Sequence, residues 1–292
     1  MQLIAKECDV LGTKVWIKVV GETVVEEAVD EAFAWAKKFE AKYSRFGGGN
    51  FLANLNARVG NWVEIDEELF GLLKFADELK KKTEGAFDLS VKGILEDWGY
   101  DAQYSFKEKN GNGDLGAIEF SKDGDRRVKF SSPIELGGIG KGYAVDKMAE
   151  KLEGFSGFFV NAGGDILVKG RDEKGEKWRI YFEHPTDPEQ TIGFVDADNL
   201  ALACSSPSKR KWGDKHHLVD PRTKKPADKM LAVYTQAKTC LLADAYATAL
   251  FVMGYARARE FLEKVGLVEA MLVDVSGEIF RTKGFQEELF GE

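Results

Sequence analysis

Apolar and polar residues alternate after Thr13, through Val15, Ile17 and Val19, so residues 10–20 read as a half-buried strand. The period then changes: residues 24–43 follow a helical spacing that ends near Tyr43. Ser44 to Asn50 is a glycine-containing loop, and Asn50 to Asn56 a short turn bearing Phe51, Leu52 and Leu55. Residues 66–82 form an amphipathic helix whose closing Lys80-Lys81-Lys82 run complements the negative end of its dipole. Gly85 reads as a helix stop, and Asp88 or Ser90 as a cap for the segment beyond. Residues 105–131 look strand-like and are broken by Asn-Gly-Asn-Gly and Asp-Gly turns, which predicts hairpins. A helix follows over 143–153, then strand, glycine turn and strand over 157–168. Further strands are expected at 176–183 and 191–204, helices at 241–253 and 256–265, and a hairpin over 269–281 around Ser276-Gly277. Hairpins with intervening helices predict an α+β fold with antiparallel sheets and packed helices. No stretch has a linker composition, so residues 1–292 read as one domain, compact and of one or two lobes, with no internal repeat.

The composition permits a large core, with 44% hydrophobic and 12% aromatic residues. The net charge of −8 and the scarcity of basic runs beyond Lys80–Lys82 and Lys209-Arg-Lys211 argue against a nucleic-acid partner. Cys8, Cys204 and Cys240 are odd in number and make neither a metal spacing nor a disulfide framework. The first eight residues carry no basic and apolar leader pattern, and no stretch approaches a membrane span. As given, the chain reads as soluble and cytoplasmic. Whether a leader was removed is left open.

Candidate chemistry gathers first at Glu135-Leu-Gly-Gly-Ile-Gly-Lys-Gly-Tyr-Ala-Val-Asp146, where Gly137, Gly138, Gly140 and Gly142 crowd together before a helix. Glycines are tolerated at such density where backbone turns tightly or approaches something closely. A glycine loop running into a helix N-terminus suits a phosphate. It is not a Walker A loop, because Gly142 stands where that motif needs a hydroxyl after Lys141. It is not a dinucleotide fingerprint either, because Tyr143 replaces the last glycine. A plain turn closing a helix against a sheet is the competing reading.

Two of the three histidines fall in Lys215-His-His-Leu-Val-Asp-Pro-Arg-Thr223. His217 could take a proton from a hydroxyl near neutral pH. A surface loop with Asp220 starting a turn is the alternative. Asp244 and Thr248 interrupt the apolar run 241–254 four residues apart, on one helical face. Buried there, they need partners, and a hard cation such as magnesium would serve. A capping Asp and a Thr bonded to its own backbone would serve equally. Gly85-Ala-Phe-Asp88 and Val160-Asn-Ala-Gly-Gly-Asp165 each put a carboxylate in a tight loop, which turn chemistry also explains.

Taken in order, Leu11-Gly-Thr13, Ser44-Arg-Phe46, Gly85–Asp88, Glu135–Gly142, Val160–Asp165, His217–Thr223 and Ala243–Leu250 closely resemble the FAD:protein FMN transferases, the ApbE-like family. The resemblance runs from about residue 10 to residue 254. It implies T-fold-like lobes with FAD between them. It also implies magnesium-dependent transfer of FMN from FAD to a Thr or Ser hydroxyl of a target protein, with AMP leaving. Carried over by position, Leu11 and Phe46 would contact the flavin end, while Ala86, Phe87 and Asp88 would line the FAD pocket. Glu135 and Lys141 would contact FAD from the glycine loop, with Leu218 packing nearby. Magnesium would be held by Asp244 and Thr248, with backbone carbonyls at Gly138 and Ala247. His217 would activate the incoming hydroxyl. The chain departs from the family pattern at Glu135, where Asp is usual, and at Asp88-Leu-Ser90, where Asp-Pro-Thr is frequent. It also has Lys224 in place of the usual Gly, and Cys204-Ser-Ser206 in place of Thr-Ser-Gly. Many members are exported lipoproteins, but no lipobox is visible here. The alternatives are a magnesium-dependent pyrophosphatase splitting FAD to FMN and AMP, and a non-catalytic FAD-binding protein.

Overall fold

Both faces of the main sheet are covered, which is why its central strands read as near-continuous apolar runs. In the computed structural model, residues 2–291 are described, apart from 23, 24, 110, 112 and 188. The described residues form seven α-helices: α1 Val25–Tyr43, α2 Phe51–Asn56, α3 Glu67–Lys82, α4 Lys92–Asp97, α5 Gly140–Glu150, α6 Cys240–Met253 and α7 Tyr255–Lys264. The chain divides into two compact units. One comprises Met1–Glu40, Gly138–Lys209 and Asp228–Glu292, and the other Ala41–Gly137 and Arg210–Ala227. None of the described helices is long and apolar enough to cross a membrane.

The first unit is built on an eight-stranded antiparallel sheet. Its spatial order is Gln2–Val10, Thr13–Gly21, Gly157–Ala162, Asp165–Gly170, Asn199–Ser205, Met230–Ala237, Glu269–Asp274 and Ile279–Arg281. Val15, Ile17, Val19 and Val160 pack with Val29, Ala32 and Phe33 of α1 and with Val145 and Met148 of α5. Val168, Leu202, Tyr234 and Met271 point the other way, onto Trp178, Ile180, Phe182 and Val195. Those residues belong to a three-stranded sheet of Trp178–Glu183, Thr191–Ala197 and Glu288–Leu289. The mixed, antiparallel α+β class therefore matches the sequence reading.

Several expectations for this unit change. The expected strand at 191–204 is two strands in different sheets, parted at Asp198, whose carbonyl accepts the Gly170 N–H at 2.8 Å. The switch falls at the polar stretch Asp196-Ala-Asp198-Asn199, with apolar residues on both sides of it. Strands Gln2–Val10 and Met230–Ala237 are additional. The first pairs Val10 with Thr13 across a two-residue turn in which Leu11 has φ +62°. The α5 helix starts at Gly140, within the glycine run rather than after it. The predicted start of α1 at residue 24 lies outside the described residues.

In the second unit, Asn50 caps α2 by accepting from Ala53 N, so the expected turn is a short helix. Asp66 caps α3 in the same way, through Leu69 N. The stop of α3 is a Schellman turn: Gly85 N donates to Lys80 O and Glu84 N to Lys81 O. The left-handed residue just past the cap is thus Glu84, φ +50°, with Gly85 following. The strand-like reading of 105–117 fails. Asp101 accepts from the N–H groups of Gln103 and Ser105, and Asp97 from that of Gly113. Carboxylates thereby take donors that a ladder would need. Asn110 and Asn112 of the expected turn lie outside the described residues. The Asp123-Gly124 turn does join two strands, Ile118–Phe120 and Arg127–Phe130, and Val63–Glu64 completes that sheet. Ile94, Leu95, Tyr100 and Val219 form a small core beside Phe46, Trp98 and Trp212.

Candidate functional site

Within the first unit the decisive junction is between α5 and α6. The α6 helix is capped twice. Thr239 Oγ1 accepts from Leu242 N, and the Asp146 carboxylate, reaching over from α5, accepts from Cys240 N at 2.7 Å and Leu241 N at 2.9 Å. Negative charge at a helix N-terminus meets both its unpaired donors and its dipole. One turn into α6, Asp244 is 5% exposed and its Oδ2 accepts from Gly142 N at 3.0 Å. A further turn on, Thr248 Oγ1 lies 3.3 Å from Ser205 Oγ. The shared face expected for Asp244 and Thr248 is therefore present, and it meets the glycine run.

Gly142 explains that approach. A Cβ placed there would stand 2.4 Å from the Cys240 carbonyl oxygen and 2.7 Å from Asp244 Cβ. Only glycine lets the first turn of α5 touch the first turn of α6. Gly142→Ala is expected to force the helices apart and cost about 1–3 kcal/mol. Thermal denaturation should show a lower Tm, and an unchanged Tm would mean the two helices separate freely.

Burial pushes the Asp146 carboxyl above its ordinary value, against the pull of the Leu241 and Cys240 N–H groups; Glu150 adds to the rise and Lys147 opposes it. A carboxyl raised in the folded state binds its proton more tightly there than when unfolded. Its contribution to stability is thus full below the unfolded value, near 3.8, and is lost as pH climbs through the folded one. Asp146→Asn removes this titration. The Tm of that variant relative to the unmodified chain should rise from pH 4 toward neutrality, and a pH-independent difference would refute the linkage.

Lys141, in the first turn of α5, pairs with Asp165, whose side chain is only 2% exposed. Gly138 lies just ahead of α5 and is half-buried; Ala247 is fully buried within α6. Leu11, half-buried on its hairpin turn, packs against the core beneath α1. The donors near Asp244 and Thr248 are a carboxylate, hydroxyls and backbone carbonyls, all hard oxygens of the kind magnesium prefers. No group of three or more His, Cys, Asp or Glu side chains suited to a metal occurs among the described residues. A cation at α6 would therefore rest on one carboxylate with neutral oxygens, which suits an ion also sharing a phosphate.

The second unit carries the other expected residues. Phe46 stacks on Tyr104 at 4.8 Å between ring centres and meets Tyr100 edge-on at 5.5 Å. Arg45 lies over both Phe46 and Tyr100. Ala86 and Phe87 are buried behind the end of α3, where Phe87 N donates to Thr83 Oγ1. Asp88 is occupied locally: Oδ1 accepts from Ser90 N and Oγ, and Oδ2 pairs with Lys80 at 2.6 Å. Glu135 is buried, and its Oε2 folds back to accept from Gly137 N at 2.9 Å. His217 is half-buried with Nδ1 shielded from solvent, next to buried Leu218, whose N–H donates to His216 Nδ1. Lys224 has φ +54° where the family pattern has glycine, so that turn keeps its left-handed backbone despite the substitution.

Asp146 and Ser205 escaped the sequence reading. Each serves a helix remote in sequence, so no local spacing points to it. Thr239, the N-cap of α6, was legible as a Thr just before the apolar run.

Comparison with known proteins bears on the family and the fold. The model of a family described as the ApbE family matches residues 11–272. The "FAD:protein FMN transferase" of Haemophilus influenzae is 28% identical over 291 residues, covering 90% of this chain and 84% of that protein. The crystal structure of the ApbE protein of Thermotoga maritima has a TM-score of 0.89 at 28% identity, covering 97% of both chains. The flavin transferase ApbE of Vibrio cholerae has a TM-score of 0.83 at 20% identity, covering 97% of this chain and 98% of that one, and shares the fold.

Proposed function

The chain belongs to the ApbE family, and from that membership we propose that it is an FAD:protein FMN transferase. It moves FMN from FAD to a Thr or Ser hydroxyl of a target protein and releases AMP. The observation that carries this reading is the α5–α6 junction, where the Gly142 N–H meets the Asp244 carboxylate at 3.0 Å beside Lys141. It supports the reading because a buried carboxylate able to hold a cation meets a glycine-rich helix start, the two features a diphosphate substrate calls on.

Asp244, Thr248 and the carbonyls of Gly138 and Ala247 would hold Mg²⁺, which when bound supplies charge neutralisation on the diphosphate. Lys141 binds the same anionic group. Leu11 and Phe46 would contact the flavin end and Leu218 would pack near the glycine loop, while Ala86 and Phe87, both buried, would back the FAD pocket. Asp88, held by Lys80 and Ser90, would line the same pocket, and Glu135, held by Gly137, would contact FAD from the glycine loop. His217 takes the acceptor hydroxyl proton at Nε2, the nitrogen other than its shielded Nδ1. The acceptor oxygen then forms its bond to the FMN phosphorus as the bond to the AMP oxygen breaks.

The test is incubation with FAD, Mg²⁺ and a candidate target bearing the acceptor Thr, followed by intact-mass measurement of the target. A gain of one FMN, with AMP released, is the expected result. FMN and AMP appearing beside an unmodified target would instead make the chain a pyrophosphatase. FAD left intact would make it a binding protein.

A further inference from the structure

The ion pair between Lys141 and Asp165 has no role in what is described above beyond the lysine's affinity for an anion. Asp165 opens the strand Asp165–Gly170, directly after the tight turn Gly163-Gly164, both with positive φ. Its carboxylate is 2% exposed and the Lys141 side chain 19%. The pair lies among buried groups. Burial pushes the Cys204 thiol up to about 12, with Glu183 and Asp165 adding and Lys209 and Lys141 opposing. The Cys240 thiol is likewise raised by burial, with Asp165, Asp146 and Asp244 adding and Lys141 opposing. The pair is thus felt from the strand Asn199–Ser205 and from the start of α6.

A buried carboxylate beside a lysine meant for a diphosphate is electrostatically adverse to that ligand. A site selected for anion affinity alone would leave the carboxylate out. What Asp165 does supply is constraint. Lysine loses much rotamer freedom when its ammonium is fixed, and a lysine fixed beforehand loses less on binding. Resting on the function proposed above, we infer that Asp165 is a positioning residue. It holds the Lys141 ammonium at the start of α5, in the arrangement that receives the FAD diphosphate.

Three variants test this: Asp165→Asn, Lys141→Met and the double variant, each compared with the unmodified chain. The readouts are FAD Kd in the presence of Mg²⁺, by flavin fluorescence, and KM and kcat for transfer. Asp165→Asn is expected to raise Kd and KM about tenfold, equivalent to about 1.4 kcal/mol, with kcat held within about twofold. In the Lys141→Met background the same change should add less than about twofold, because the two residues act as one unit. A merely structural Asp165 would instead lower kcat or the active fraction at unchanged Kd, and that result overturns the inference. So does unaltered FAD binding in Asp165→Asn, or losses that multiply in the double variant. Should Asp165→Asn fail to fold, Lys141→Met against the double variant, which has no lone buried charge, decides the same point by the same criterion. If the unmodified chain binds FAD yet transfers nothing, the proposed function falls, while the Kd comparison still decides the role of Asp165.

Discussion

Asp244→Ala is expected to abolish FMN transfer, with a loss of at least about a thousandfold in kcat/KM. A bound divalent cation contributes several kcal/mol to a phosphoryl-type transition state, and each 1.4 kcal/mol is roughly a factor of ten. Asp244 is the one charged side chain among the four expected cation ligands and is 5% exposed, so no neighbouring water-borne carboxylate readily replaces it. Because its Oδ2 also accepts from Gly142 N, the alanine variant loses a structural contact as well. Asp244→Asn separates the two effects. Its amide oxygen can still accept from Gly142, but its charge is gone. It should keep a near-normal Tm and lose nearly as much activity as Asp244→Ala. Unchanged activity of either variant at limiting Mg²⁺ would remove Asp244 from the cation site.

His217→Ala is the second large effect. The variant is expected to bind FAD nearly as well as the unmodified chain and to transfer about 10²–10⁴-fold more slowly, the usual weight of a positioned general base. A hydroxyl is a poor nucleophile until its proton is taken, whereas in the function proposed above FAD affinity would draw on Lys141 and the apolar contacts. Transfer at the unmodified rate would leave His217 as a loop residue and return the base role to an unassigned group.

How far these residues could be read in advance follows from the physics of each. Asp244 and Thr248 were legible because two polar residues on one face of an apolar helix demand partners. Helical spacing alone placed them together. Gly142 was visible as part of a dense glycine run, but its purpose was not. The Cys240 carbonyl and Asp244 Cβ that exclude a side chain there arrive from a helix distant in sequence. Asp146 is the mirror case: an acid inside a helix looks like a solvated position, yet it caps α6. Strands 157–162 and 165–170 were plain because a glycine pair marks their turn. The break at Asp198 is marked by Asp196, Asp198 and Asn199, but apolar residues on both sides of that polar stretch let the two strands read as one. The strand-like segment 105–117 misled because its apolar residues, Phe106 and Leu115, flank donors already taken by Asp97 and Asp101.

One measurement bears most directly on the α5–α6 junction as a cation–diphosphate site: electron–nuclear spectroscopy of the chain with FAD and Mn²⁺ in place of Mg²⁺. Phosphorus hyperfine coupling from the FAD diphosphate to the bound Mn²⁺, lost in Asp244→Asn, is the predicted result. A bound Mn²⁺ with no phosphorus coupling, or coupling that survives in Asp244→Asn, would contradict it.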